Sequence, residues 1–280
     1  EDRYPLWLRT THTPPLVLWC RGTLVDTGAA SVAIVGSRAA TPLGQAFARR
    51  LAEALASAGL EVVSGLARGI DAAAHRGALA AGGRTLAVLG SGLDRLYPPE
   101  HDRLADEVAA SGALLSEFPL GTRPWKAHFP RRNRVIAGLA RGVVVVEASG
   151  RSGALSTARA ALDEGREVMA VPGHPAQPQA EGTNGLLRDG AALVRGPADV
   201  LDALGIEAPA TPLRAPEDAV LRALGEGVPR GVDELQERTG LAVPALLARL
   251  AALELEGALR RVPGALYVSG RAASGYTRGR

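Results

Sequence analysis

The sequence predicts an α/β fold: a doubly wound, mostly parallel sheet, followed by a smaller C-terminal winged-helix domain. Three observations carry that prediction. Short apolar runs ending in glycine or small polar residues alternate with longer helical stretches from residue 31 to about 196. The runs are almost unbroken in their apolar character, as strands covered on both faces are. After a Pro- and Ala-rich stretch, "GIEAPATPLRAPE" (205–217), the pattern changes to helices and one hairpin.

The elements follow in order. "SVAIVG" (31–36) reads as a strand, and "LGQAFARRLAEALASAG" (43–59) as a helix closed by glycine. "EVVSG" (61–65) is the next strand, "IDAAAHRGALAAG" (70–82) the next helix and "TLAVLG" (85–90) the third strand. Further strands read at 113–118, 142–149, 167–173 and 191–196, with helices between them. Residues 1–204 therefore form the first expected domain and 205–217 a linker. Within 218–270, helices over 218–227, 231–241 and from 243 precede two short strands flanking Pro263-Gly264, which is the plan of a winged helix. The tail, 271–280, is expected to be disordered.

Composition excludes several classes. At 46% apolar the chain can bury a core, and with aromatics at 4% that core must be built from Ala, Leu and Val. A formal charge of +3 argues for no partner by itself, so a basic surface has to be located residue by residue. The single cysteine, Cys20, rules out an internal disulfide, and with no Cys or His cluster around it no metal site is expected. No apolar run approaches the ~18 residues of a membrane span, and no signal peptide is visible, so the expected location is cytoplasmic. The chain starts at Glu1, and "YPLWLRTTHTPPLVLWCRG" reads as the interior of a longer protein, so an upstream segment is expected.

Doubly wound sheets bind ligands beyond the carboxyl ends of their strands. Five segments rich in small and polar residues follow strands directly here: "GSR" (36–38), "SGLARG" (64–69), "GSGLD" (90–94), "EASGRSG" (147–153) and "PGHP" (172–175). In the first, Gly36 permits close approach of a phosphate, Ser37 and Arg38 offer donors, and the helix from about Leu43 points its positive end the same way. Ser64 and Gly65 are candidates to bring amides to a phosphate, and Ser152 and Gly153 open a second possible anion site. Asp71 reads as a helix cap and His75 as a structural histidine facing the sheet.

One further segment, "WKAHFPRRNR" (125–134), holds Lys126, the only lysine among 32 basic residues. Trp125 and Phe129 beside it are two of only ten aromatic side chains. Rings interleaved with cations suit single-stranded nucleic acid, since bases stack while phosphates pair with charge. Phe129 could instead plug the core below Pro130, and Trp125 is left open. Arg132, Asn133 and Arg134, at the start of a helix over 131–140, either contact phosphates or tie loops to carboxylates such as Glu117 or Glu147.

Taken together, "VAIVGSR", "SGLARGIDAAAH", "LAVLGSGLDRLYPPEH", "SEFPLG", "FPRRNRVIAGLA", "VVVVEASGRSGALSTARAALDEGREVMAVPG" and "EGTNGLLRDGAALV" resemble the DNA-processing protein A (DprA/Smf) family from about residue 4 to 204. The prelude residues Tyr4, Pro5, Pro14, Pro15, Leu18 and Gly22 belong to the resemblance. It implies an extended Rossmann-like fold that binds single-stranded DNA with no cofactor and no catalysis. It also implies protection of incoming strands in natural transformation, loading of the RecA recombinase and a homodimer. The family's strand pocket uses an arginine, a lysine and a phenylalanine, which fall on Arg38, Lys126 and Phe129.

Two rivals differ in class. A phosphoribohydrolase-like enzyme on a related fold would use a turn echoed by "PGHPAQPQAEGTNG" (172–185), with Glu181 and Glu147 as acids, but the loop is too long and no paired carboxylates emerge. A duplex-reading regulator would use the helix over 243–257, yet that helix carries one arginine and would turn Glu254 and Glu256 toward phosphates. The winged helix is therefore expected to contact protein or serve as an accessory, with Arg260 and Arg261 still able to touch DNA.

Overall fold

The computed structural model describes residues 4–25, 30–207, 219–225, 228–255, 258–262, 264 and 266–269. The expected tail and residues 208–217 of the expected linker lie outside them. The described residues form two compact units, one through residue 207 and one from residue 219.

The first unit holds eight strands: β1 (Trp19–Gly22), β2 (Ser31–Val35), β3 (Glu61–Ser64), β4 (Thr85–Val88), β5 (Ala113–Ser116), β6 (Gly142–Val145), β7 (Glu167–Ala170) and β8 (Ala192–Leu193). They make one sheet in the order β1-β5-β4-β3-β2-β6-β7-β8. Every neighbouring pair is parallel except β1 with β5. The sheet is covered by α1 (Leu6–Arg9), α2 (Pro42–Ser57), α3 (Ile70–Ala80), α4 (Asp102–Ser111), α5 (His128–Leu139), α6 (Ala154–Asp163), α7 (Glu181–Arg188) and α8 (Pro197–Ala203).

Strand β2 shows why the runs are continuously apolar. Val32 and Ile34 point into a core shared with α2 and α3, through Leu51, Leu55, Ile70 and Ala74. Ala33 and Val35 point the other way, into a core shared with α5 and α6, through Val135, Ile136 and Ala158. Alternate residues of one strand thus feed two cores, and both faces exclude water.

Two elements depart from the sequence reading. β1 was not expected as a strand: its four residues are all exposed, so no burial pattern marks them. Helix α5 begins at His128, not 131, so Phe129 sits in its first turn. Pro130 is tolerated there because first-turn amides have no helical acceptor to lose.

The second unit is the expected winged helix. It contains α9 (Ala219–Leu224), α10 (Val232–Thr239), α11 (Val243–Leu255) and the hairpin β9 (Leu259–Val262) with β10 (Leu266–Ser269). Its own core joins Val220, Leu224, Leu235, Leu246, Leu250, Leu253 and Tyr267.

Between β3 and α3 the chain passes through Leu66, whose φ of 58° is left-handed. That conformation costs a leucine about 1–3 kcal/mol unless the surroundings enforce it. Two buried histidines enforce it. The Thr85 hydroxyl donates to the Val62 carbonyl (2.7 Å) and so accepts from His75 Nδ1 (2.8 Å). Nε2 of His75 is then free to accept the Leu66 N–H at 3.3 Å, while His101 Nδ1 donates to the Leu66 carbonyl at 2.9 Å. His75 is structural, as its sequence context suggested.

Burial pushes the His75 pKa down to about 3, with His101, Arg132 and Arg76 adding repulsion. Unfolded, the same ring takes up a proton below about pH 6.5. The unfolded state therefore holds more protons between these limits, and stability falls as the pH drops from 6.5 toward 3. Urea unfolding of wild type and His75→Gln at about pH 7 and about pH 4.5 measures this, the wild type losing up to about 2.7 kcal/mol more on acidification. An equal loss in both would contradict the assignment.

Candidate nucleic-acid interface

In the sheet order, β2 and β6 mark the point where successive strands stop adding to one side and add to the other. A cleft of about 620 Å³ opens beyond their carboxyl ends. Its walls come from Gly36–Ala39 after β2, Ala67 and Asp71 after β3, Tyr97, the start of α5, and Ser149–Thr157 after β6.

One buried guanidinium registers α5 against the sheet. Arg132 is 3% exposed and its Nη1 donates to the carbonyls of Gly65 (2.8 Å) and Val88, at the ends of β3 and β4. The N–H of Gly65 donates in turn to Asp71 Oδ2 at 3.1 Å. Gly65 thus lies between a buried cation and a buried carboxylate. A Cβ on Gly65 would run into the Arg132 guanidinium, so the glycine is required by that close approach. Burial lowers the Arg132 pKa to about 10, which leaves it charged at neutral pH, and burial raises that of Asp71 while Arg132 opposes the rise.

Arg132 fixes what precedes it on the helix. Phe129 lies one turn earlier, half-buried, with the Arg38 guanidinium over its ring at 4.7 Å and Tyr97 tilted against it at 5.8 Å between centroids. The ring edge meets Gly90, where a Cβ would come within 3.0 Å. Lys126 lines the cleft and is exposed. Arg38, distant in sequence from Lys126 and Phe129, therefore lines the same cleft as they do. Asn133 also lines the cleft, donating to the Ser156 hydroxyl (2.7 Å) and the Gly153 carbonyl (3.2 Å). Ser152 and Gly153 complete that rim.

Several residues sit differently from the sequence reading. Ser64 is fully buried and donates to the Ile34 carbonyl at 2.7 Å, and neither it nor Gly65 lines the cleft. Strand parity explains this: Ser64 points into the sheet layer, and Gly65 is taken by Arg132. Of the two alternatives the sequence left open for Arg132 and Arg134, tying loops is the one seen: Arg132 holds backbone carbonyls, and Arg134 pairs with Glu117, which Arg131 also reaches at 3.3 Å. The N-terminus of α2 does not face a ligand unopposed. Thr41 caps it, accepting from Gly44 N at 3.0 Å, and Glu147 accepts both the N–H (2.8 Å) and the hydroxyl (2.6 Å) of Thr41. Asp71 does not cap α3 but holds the β3–α3 loop. The "PGHP" turn is closed by Asn184 on both sides of Gly173 and does not reach the cleft. Tyr97 also lines the cleft and was not singled out from the sequence.

Fold and site together define a Rossmann-like α/β protein with an open cleft of cations, one ring pair and hydroxyls at its topological switch point. Family models agree on both units: residues 1–205 match DNA recombination-mediator protein A, and 206–265 match the DprA winged helix domain. The chain belongs to the DprA/Smf family. It is 42% identical to Protein Smf of Escherichia coli K12 over 94% of this chain and 74% of that one. DNA processing protein DprA of Streptococcus pneumoniae is 44% identical, over 72% of this chain and 71% of its own. The crystal structure of DNA processing protein A from S. pneumoniae aligns with a TM-score of 0.69, covering 72% of this chain and 71% of that one. A Helicobacter pylori structure, described for its single-stranded DNA binding mode, aligns with a TM-score of 0.65 at 31% identity over 72% of this chain and 92% of that chain.

The two arginines facing Phe129 should part company under mutation. Arg132→Leu leaves two carbonyls and Asp71 buried without their cation and should cost about 3–5 kcal/mol in denaturant unfolding. Arg38→Glu, at an exposed position, should change stability by no more than about 0.5 kcal/mol. Equal losses would contradict the division between scaffold and surface.

Proposed function

We propose that the cleft binds single-stranded DNA. The observation carrying this is that Arg38, Lys126 and Phe129 line one cleft together with Ser152, Gly153 and Asn133, with Arg38 over the Phe129 ring. Two cations can meet successive phosphates, while the guanidinium backed by a ring offers a flat surface to a base. Gly36 and Ser37 hold the turn: the Ser37 N–H donates to the Glu147 carbonyl at 2.7 Å, and a Cβ on Gly36 would lie 2.6 Å from Ile70. Arg132 acts on the strand by fixing the α5 wall of this cleft, and Ser64 and Gly65 by holding its base. The binding mode named for the H. pylori relative supports the reading.

On this reading the chain protects incoming single strands in natural transformation and helps load RecA recombinase, as a cytoplasmic homodimer without cofactor or catalysis. The family supports a DNA-processing role, and no described helix is long and apolar enough to cross a membrane. A hydrolytic reading has less support. Glu147 is engaged by Thr41 and Glu181 accepts from Gly150 N at 3.2 Å, and neither carboxylate lines the cleft. The winged helix serves as an accessory, protein-contacting module.

Binding of a fluorescent oligothymidine over a salt series tests the placement. Lys126→Glu and Arg38→Glu should each weaken binding at least about ten-fold and flatten the salt dependence by about 0.7 for each phosphate no longer neutralised. Undiminished binding by both would move the strand elsewhere.

A further inference from the structure

We propose that Trp125 is a base-stacking platform for the nucleotide next to the one held in the cleft. The inference rests on the cleft being the strand site, and it concerns where the strand goes on leaving it.

The Phe129 ring in the cleft is largely covered. Phe129 has Arg38 over it at 4.7 Å, Arg132 at 5.9 Å, Tyr97 tilted at 5.8 Å and the backbone of Gly90 at its edge. A base entering the cleft meets the Arg38 guanidinium before it meets the phenylalanine. One nucleotide is thus held against a cation, and the base of its neighbour would stack on a separate ring face.

Trp125 supplies such a face. Its side chain is 68% exposed, and it immediately precedes Lys126, which lines the cleft. Among the described residues no ring or cation packs on the indole. The other two tryptophans differ: Trp7 is 41% exposed and covered by Arg166 at 4.5 Å, and Trp19 is 38% exposed on edge strand β1. The backbone beneath Trp125 is fixed, since its carbonyl accepts the His128 N–H at 2.9 Å at the entrance to α5, and the His128 ring stacks on Phe118 at 4.3 Å. An open indole on a fixed backbone, adjoining a phosphate-binding cation, matches the alternation of charge and ring that a single strand presents. Such stacking tolerates any base, because every base has a π face.

The test uses the full chain and a fluorescent oligothymidine about 15 nucleotides long. Trp125→Ala should weaken binding on the order of ten-fold, as loss of one stacked base does, with the salt slope unchanged because no charge is removed. Wild type should show quenching of intrinsic tryptophan fluorescence on binding, and Trp125→Phe should keep most of the affinity while abolishing that quenching. Wild-type affinity in Trp125→Ala, or quenching that persists in Trp125→Phe, would overturn the proposal. Arg38→Glu and Lys126→Glu in the same assay separate the two levels. If they lose binding while Trp125→Ala does not, only the platform falls; if they too bind like wild type, the cleft reading falls with it.

Discussion

The cleft depends on one buried cation. Arg132 carries a full charge into the protein interior, where desolvation is costly unless every donor is met. The carbonyls of Gly65 and Val88 meet it from two adjacent strand ends, and Asp71 balances it across the Gly65 peptide. These partners belong to the sheet and to α3, whereas Arg132 belongs to α5. The contact therefore sets how deeply and at what rotation α5 enters the rim. Phe129 lies one turn before Arg132 on the same helix, so its position follows from it, and Lys126 sits in the turn that leads into α5.

The same economy of charge decides which helix end is open. Glu147 at the end of β6 neutralises the start of α2 through Thr41, so the positive end nearest Arg38 is already satisfied. The strained Leu66 keeps the β3–α3 loop folded back toward β2, where the Ile70 N–H donates to the Ser37 carbonyl at 3.3 Å. Two buried histidine contacts, a capped helix and an arginine clamp together leave Arg38 and Lys126 as solvent-facing cations lining the cleft. A rigid frame carrying long, exposed charged side chains suits a ligand whose phosphates vary in position.

Much of this was legible in the sequence. Apolar runs located all seven parallel strands, and in β2, β4, β5 and β6 every residue is buried, which removes charged residues from them. β1 escaped for the opposite reason: an exposed edge strand has no burial pattern to read. The lone Lys126 and its aromatic neighbours pointed to the wall, since a residue type used once stands out from composition. Ser64 and Gly65 were misplaced because strand-end residues look alike in sequence, and only the three-dimensional path of Arg132 shows which ones are occupied. Tyr97 was invisible as a wall residue because its contact with Phe129 spans two distant segments.

Hydrogen exchange of the free chain and of its complex with an oligothymidine tests the central claim most directly. Strand binding in the cleft should slow exchange at 36–39, 125–129 and 149–157, with the winged helix over 219–269 little changed. Protection confined to 219–269, with the cleft segments exchanging as in the free chain, would contradict it.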